Sequence, residues 1–511
     1  MTLAASSVLT RTVRGVVVSG LNQALLGVQS VILVPFFLRA WDATDYGRWL
    51  TISALVSYLA LIDLGGQTYV GNLLALAFGR SDDEGFRKHL SEAMSFFVFV
   101  GAGALAMFSL ALCVSINLPA RMTLALQPWQ AGVAFLLAVN MLLFAVPLGV
   151  YATAYAATGR YIRAAMIGNA QRTASILVSL ALLLLRVRPL VFAFGTLAVS
   201  MLSTAALWWD SRQTIPGCRG IRLSISAAKR ATVYLKGSAQ FWLMNLANTL
   251  RQEGVVIVLA SLGGPGAVAI YSTHRTIASI PDYTRALVQA PVTPEFSFLW
   301  ARKRVEDLNR AAMMAIRAVV LVTGGLAIFL WFSSPTLYPL WTRGAITLDR
   351  PVLAVLLIQA TLSAGLRTST WGLLASNNHQ KLLGWLVANS LTSLLLSALL
   401  VPSYGVFGAV TGGLLSDLAL GLAVAPLVVS PFLQTSRTQV YRHFLAALAA
   451  LLPLALLAAA TGRVLHGFTL IIALSTLTML LSYPLAVVAI GAREVRRLAQ
   501  VITEIASIKA R

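Results

Sequence analysis

Two charges of opposite sign, Arg251 and Glu253, sit inside the apolar stretch NTLRQEGVVIVLASLGG (Asn248–Gly264). An arginine in such a setting offers a fixed positive charge and a fork of N–H donors, a match for phosphate or carboxylate oxygens. A carboxylate there can carry a proton or Na+, or serve as the partner of an arginine. Residues two apart on a helix point in widely different directions, so this pair does not neutralise itself. Helical spacing extends the pattern. Asn245, Asn248 and Gln252 fall at i, i+3 and i+7 and make one polar stripe bordered by Arg251. Further on, Arg275, Ser279, Asp282 and Arg285 follow i, i+4, i+7 and i+10, again one face. Near the start, Ser19, Asn22 or Gln23, and Gln29 or Ser30 mark a third.

Other chemistries find little support. The five histidines (His89, His274, His379, His443 and His466) are scattered without metal-ligand spacing, and there is no P-loop and no nucleophile elbow. No cofactor or metal is expected. SDDEG (Ser81–Gly85) has the look of an acidic metal box, but Ser81 with Glu84 reads better as a capping box on a short cytoplasmic helix. Cys113 and Cys218, the two cysteines, fall on opposite sides of the membrane in the topology below and form no disulfide framework.

The elements that must position these residues follow from composition. Of 511 residues, 58% are hydrophobic and 11% charged, against about 25% charged in soluble domains; mean hydropathy is +0.80. Apolar runs of about 20 residues recur throughout, each able to cross a hydrocarbon core of roughly 30 Å. The chain is a polytopic helical membrane protein. Spans are expected at 14–39, 47–76, 92–117, 129–155, 164–186, 190–210, 236–262, 265–291, 311–333, 351–376, 382–401, 406–431, 443–461 and 467–491. That makes fourteen.

The net charge of +22 fits this class. With both termini cytoplasmic, most of the 39 Lys and Arg fall in cytoplasmic segments, as the positive-inside rule requires. Topology and anionic membrane lipids account for the charge, and no nucleic acid is implied. The first apolar run is too long for a signal peptide, with no small-residue cleavage site after it, and is expected to stay as a helix.

A long basic break divides the chain. Residues 1–210 form an N-terminal six-helix lobe, 211–235 a basic cytoplasmic linker, and 236–431 a second six-helix lobe. Residues 432–491 add two helices, and 492–511 form a cytoplasmic amphipathic tail. Internal duplication supports the division. Under a shift of 225 positions Leu25 falls on Leu250, Val31 on Val256, Ile32 on Ile257 and Tyr46 on Tyr271.

Short motifs add a family. VPFFLRAWDATDYGRW (Val34–Trp49), LALIDLGGQ (Leu59–Gln67), GAVAIYSTHRTIASIP (Gly266–Pro281) and VPSYGVFGAVTGG (Val401–Gly413) resemble bacterial Wzx-type polysaccharide and O-antigen flippases. These belong to the multidrug/oligosaccharidyl-lipid/polysaccharide (MOP) exporter superfamily. The resemblance implies an all-α membrane protein of about 14 transmembrane helices. They would form two pseudo-symmetric six-helix lobes around a central cavity, with two further helices at the C-terminus. It implies residence in the bacterial inner membrane and a lipid-linked oligosaccharide as substrate, with other polysaccharide-assembly proteins as partners.

Six arginines lie within spans: Arg172, Arg251, Arg275, Arg285, Arg317 and Arg367. At the bilayer centre each costs roughly 2.5–3.5 kcal/mol unless it faces a cavity or a partner. Arg317, near the inner end of its span, snorkels. Arg172, Arg285 and Arg367 fit snorkelling, helix–helix bonding or a cavity. Arg251 and Arg275, the deepest, favour a cavity. The expected substrate site is therefore Arg251, Arg275, Asn248, Gln252, Asn22 and Arg285. Asp63 and Glu253 are the candidates for coupling to H+ or Na+, and Glu253 is expected beside Arg275 or Arg367. With the resemblance, the substrate is a polyprenyl-diphosphate-linked oligosaccharide. Rival readings on the same fold are a lipid II flippase and a cation-coupled drug antiporter. A membrane glycosyltransferase or polymerase would need a larger extramembrane site than the longest outer loop, Ser334–Arg350, provides.

Overall fold

The computed structural model describes residues 2–117, 126–219, 221–376 and 380–477, all helix or connecting turn. The first half runs α1 (Thr2–Ala40), α2 (Ala43–Ser57), α3 (Gly66–Gly79), α4 (Asp83–Ile116), α5 (Pro128–Val139), α6 (Val146–Ala157), α7 (Tyr161–Leu184) and α8 (Pro189–Thr214). Short α9 (Ile225–Ala231) leads to α10 (Tyr234–Leu262), α11 (Gly264–Ala278), α12 (Ile280–Ala301), α13 (Val305–Thr342), α14 (Arg350–Ser369) and α15 (Trp371–Ala375). Then follow α16 (Gln380–Ser416), α17 (Leu422–Val424), α18 (Ser430–Phe432), α19 (Arg437–Ala450) and α20 (Leu452–Val464). A last helix, Gly467–Leu477, ends the described part. The amphipathic tail expected at 492–511 lies outside the described residues.

Among the described residues ten helices are long and apolar enough to cross a membrane, including Ala43–Gly79, Pro128–Ala157 and Gln380–Gly421. The last of these is two spans, because Gly405 (φ 55°, ψ −133°) breaks α16 inside the VPSYG motif. The seventh and eighth expected spans, α10 and α11–α12, are not among the ten. The reason is the polar stripes read above: Asn, Gln, Arg and Glu lower the mean hydropathy of α10, and the eighth span is interrupted at Ser279. Several helices also outrun their expected spans. α4 starts at Asp83 rather than 92, and α13 covers Val305–Thr342 rather than 311–333. Hydropathy sees only the part of a helix that lies in hydrocarbon.

SDDEG needs a correction. It opens the long α4 rather than a separate short helix, and Asp82 is the cap, accepting the Gly85 amide at 2.8 Å. Ser81, at φ 56°, belongs to the turn before it.

By packing, the chain makes two compact units, Met1–Ala269 with Val401–Val406, and Ile270–Leu400 with Phe407–Arg511. In the first unit α1 lies on α7, α3 on α4 and α6, and α10 on α2 and α3. Its core is centred on Leu74, Leu90, Phe97, Val150 and Tyr155. The basic linker is folded onto α4: Arg230 donates to the buried Glu92 at 2.8 Å, and the Ser224 amide donates to Ser95 at 3.2 Å. In the second unit α13 packs on α12, α14, α19 and α20 around Leu308, Val319, Val320, Ala364 and Trp371.

The two halves begin alike, as the repeat predicts. Each has a long helix (α1, α10), a tight turn, and a second helix that is broken part-way, after Ser57 in one and at Ser279 in the other.

Candidate functional site

Two of the family-like motifs build local structure. VPFFLRAWDATDYGRW builds an aromatic cluster in which Phe37 stacks on Tyr46, and Trp41, Trp49 and Phe192 meet with centroids 5.1–5.5 Å apart. Trp41 Nε1 donates to the Val187 carbonyl at 2.9 Å. LIDLGG is a break in the second span. The chain tightens into a 3-10 turn (Tyr58–Asp63), then passes through left-handed Leu64 (φ 50°) and Gly65 (φ 70°) before α3 starts. Asp63 Oδ1 accepts the Gln67 amide at 3.2 Å and so caps that new helix. Trp242 of α10 donates its indole N–H to the Leu61 carbonyl at 3.1 Å, clamping the break onto the seventh span.

Beside this break, within the first unit, lies a cavity of about 800 Å³ bounded by α1, α3, α6 and α7. Its lining is rich in carboxamides, with Asn22, Gln23, Gln29, Gln67, Asn169 and Gln171, together with the guanidinium of Arg172. Among the described residues no Asp or Glu lines it. Small side chains, Gly149 and Ala152 on α6 and Gly168 on α7, leave the space open. Gly149 is required where it stands: a Cβ there would meet Gln67 Oε1 at 2.0 Å, and the Gln67 amide donates instead to the Val146 carbonyl at 3.1 Å. Asn169 donates to the Val18 carbonyl at 3.2 Å and ties α7 to α1. Arg172 Nε is buried without a hydrogen-bond partner. A cationic donor left unsatisfied costs about 1–3 kcal/mol or more, and here it lies in the wall of a polar cavity.

The seventh span carries the predicted stripe. Asn245, Asn248 and Gln252 are all exposed along one side of α10, with half-buried Arg251 at its edge. Glu253 points elsewhere, into the first unit, within electrostatic reach of Tyr58.

In the second unit Arg275, Arg285 and Arg367 are found with partners. Arg275 lies over the ring of Tyr271, 5.3 Å from its centroid, a cation–π contact. Arg285 donates to Asp282 at 2.7 Å and to Gln289 at 3.0 Å. Asp282 is also the acid beside Arg367, at 3.9 Å. Asp417, buried at the start of a π-turn, accepts from Gln359 (3.0 Å), Ser363 (2.6 Å) and Asn389 (2.9 Å). His274, wholly buried, accepts the Asp349 amide at Nε2 (2.9 Å) and contacts the Tyr338 hydroxyl at 3.1 Å through Nδ1. Among the described residues no group of three or more His, Cys, Asp or Glu side chains gathers to hold a metal.

Of the predicted site, therefore, Asn22 lines the cavity of the first unit, and Asn248, Gln252 and Arg251 share one side of α10. Arg275 and Arg285 belong to the second unit. Sequence reasoning left Arg172 outside the substrate site. The signal was there: Gly168, Arg172 and Ser175 at i, i+4 and i+7, with Asn169 and Gln171 beside them, make a stripe like that of α10.

No protein-family model matches the sequence, and no curated protein matches it. The likeness is in the fold. The lipid II flippase MurJ, in an inward closed conformation, superposes with TM-score 0.69 and 11% identity, covering 92% of this chain and 97% of its own. An inward-facing multidrug resistance MATE transporter gives TM-score 0.62 and 14% identity over 79% of this chain and 98% of its own. A MOP superfamily transporter from Pyrococcus furiosus gives 0.54 and 13% over 82% and 96%. The chain is a multi-pass membrane protein with the fold of the MOP superfamily, whose solved members here are transporters and flippases rather than enzymes.

Proposed function

We propose that this protein is a flippase. It carries polyprenyl-diphosphate-linked oligosaccharide across the bacterial inner membrane, by alternating access, for surface polysaccharide or O-antigen assembly. The observation that carries this reading is the chemistry of the 800 Å³ cavity, in which six carboxamides and one arginine with an unsatisfied donor face a space that no acid lines among the described residues. Carboxamides both donate to and accept from sugar hydroxyls, and a desolvated guanidinium selects phosphate oxygens. A cation-exporting antiporter needs the opposite lining, with Asp or Glu to hold its substrate.

Arg172 and Arg251 are assigned to the diphosphate, with Arg275 and Arg285 as further cationic contacts in the second unit. Asn22, Asn248 and Gln252 are assigned to sugars. Asp63 already caps α3, which leaves Glu253 as the better candidate for H+ or Na+ coupling.

Lipid II, another polyprenyl-diphosphate-linked saccharide, is the second reading. The extent of the likeness to MurJ, 92% of this chain, favours it. Mass spectrometry of lipid-linked intermediates in a deletion strain separates the two. Accumulation of a polyprenyl-diphosphate oligosaccharide, cleared by wild type and not by a well-expressed Arg172→Ala variant, is the expected result. Accumulation of lipid II instead supports the second reading, and an unchanged pool of both rejects the two together.

A further inference from the structure

At the start of α13 and α19 the second unit contains a separate cavity, of about 390 Å³, lined by Glu306, Asn309, Arg310, Arg317, Gln439 and His443 among others. Pockets for small ligands occupy about 300–1,000 Å³. Three of the lining residues each hold a buried polar atom with no hydrogen-bond partner: Arg317 Nε, His443 Nδ1 and Asn309 Oδ1. Buried polar groups are almost always satisfied, and three exceptions around one space point to a missing occupant. The snorkelling expected of Arg317 would have placed its guanidinium in water, whereas its Nε is shielded.

Charge identifies the occupant. Arg310 and Arg317 outnumber Glu306; Glu306 and Arg310 are both exposed, and Arg317 is half-buried. His443 lies within electrostatic reach of Arg317, which lines the same cavity. Among the described residues no ion pair involves Arg317, and the nearby acid Asp307 is held by Arg304 at 2.7 Å.

Location identifies the source. α13 has 38 residues, roughly 57 Å of helix at about 1.5 Å per residue, against a hydrocarbon core of roughly 30 Å. Its first turns, preceded by the basic turn Arg302–Lys303–Arg304, therefore stand at headgroup level. We propose that this cavity binds a phosphate group at the membrane surface. The group comes from the headgroup of an anionic phospholipid or from a soluble phosphate ester, and Arg317 and His443 are its principal donors.

The test uses the full chain purified in detergent. Native mass spectrometry follows titration with dioleoylphosphatidylglycerol or, as the zwitterionic control, dioleoylphosphatidylcholine, and thermal shift follows inorganic phosphate. Arg317→Gln and His443→Asn are compared with Arg437→Gln, a basic residue of the same helix end that does not line the cavity. The expected result is phosphatidylglycerol binding weakened about tenfold or more by Arg317→Gln and by His443→Asn, and no more than about twofold by Arg437→Gln. Stabilisation by inorganic phosphate alone, lost in the same two variants, supports the site and assigns the soluble source. Equal binding of both lipids and phosphate by wild type and the two cavity variants overturns the proposal. So does an equal loss in all three variants, since that is surface charge rather than a site. Should Arg317→Gln not fold, His443→Asn decides alone.

Discussion

The Cβ that Gly65 lacks would stand 2.7 Å from the carbonyl oxygen of Ser238 and 2.8 Å from the amide nitrogen of Trp242. Both obstacles are backbone of α10 and cannot rotate away. The broken second span thus presses its left-handed turn directly onto the helix that carries Arg251 and Glu253. Gly65→Ala meets this clash and adds about 1–2 kcal/mol of left-handed strain, and is expected to abolish a monodisperse peak in fluorescence-detected size exclusion. Gly264→Ala shares the positive φ (77°) but has open space around it, so only the strain remains and most of the protein should survive.

A second glycine tests the cavity. Gly168 lines it, and nothing lies within 4 Å of where its Cβ would be. Gly168→Ala should be neutral or raise thermal stability slightly, since alanine gains about 0.5–1 kcal/mol over glycine inside a helix. Gly168→Phe should express comparably and fail to clear the accumulated lipid-linked intermediate. Full transport by a folded Gly168→Phe variant would separate the cavity from function.

Arg251 is expected to act on the substrate, with both its charge and its fork of donors in use. Arg251→Ala should lose complementation while the protein still reaches the membrane in normal amount, and Arg251→Lys should recover part of it. A fall in folded protein, equal for both variants, would make the residue structural. Expression and transport are to be measured in the same cells.

Asp417 answers to a different measurement. Three donors, from Gln359, Ser363 and Asn389, converge on its carboxylate. Asp417→Ala leaves them unsatisfied at about 1–3 kcal/mol each, and should lower the melting temperature clearly more than Asp417→Asn, which keeps one acceptor oxygen. Equal melting temperatures would show that the donors find other partners.

Cys218 provides a probe outside the spans. It is 1% exposed, and burial pushes its thiol up to about 11. At pH 7.5 almost none is thiolate, and access is blocked as well. In a Cys113→Ala background a maleimide should label Cys218 only after denaturation, which makes labelling a direct readout of unfolding for the variants above. Rapid labelling of the native protein would contradict the packing of the linker.

The membrane fold was legible because hydrophobic length is a strong signal, and the break at Gly405 falls between two expected spans, whereas the break at Ser279 divides a span expected to be continuous. The site was legible only where polar residues repeat at helical spacing. Asn245, Asn248 and Gln252 were found that way. Arg172 was not, because as a single charge it fits a snorkelling residue equally well, and only its packing against α1 and α6 reveals the cavity. The role of Asp63 could not be read, since its cap exists only after the chain turns left-handed at Leu64 and Gly65. SDDEG offered two neighbouring residues able to cap, and the backbone, not the side-chain chemistry, selected Asp82.

The polarity of α10 and of α11–α12 also bears on how the chain enters the bilayer. Neither segment is among the helices long and apolar enough to count as a span alone, and each intramembrane Arg, Asp or Glu adds to the cost of insertion. α10 finds its packing partners upstream, in α2 and α3, while α12 finds its partner downstream, in α13. Insertion at the middle of the chain is therefore a collective step. α10 must wait beside helices already delivered, and α12 must wait for one still on the ribosome. The residues suited to carry a polar substrate make the centre of this protein the part most dependent on the order of its own synthesis.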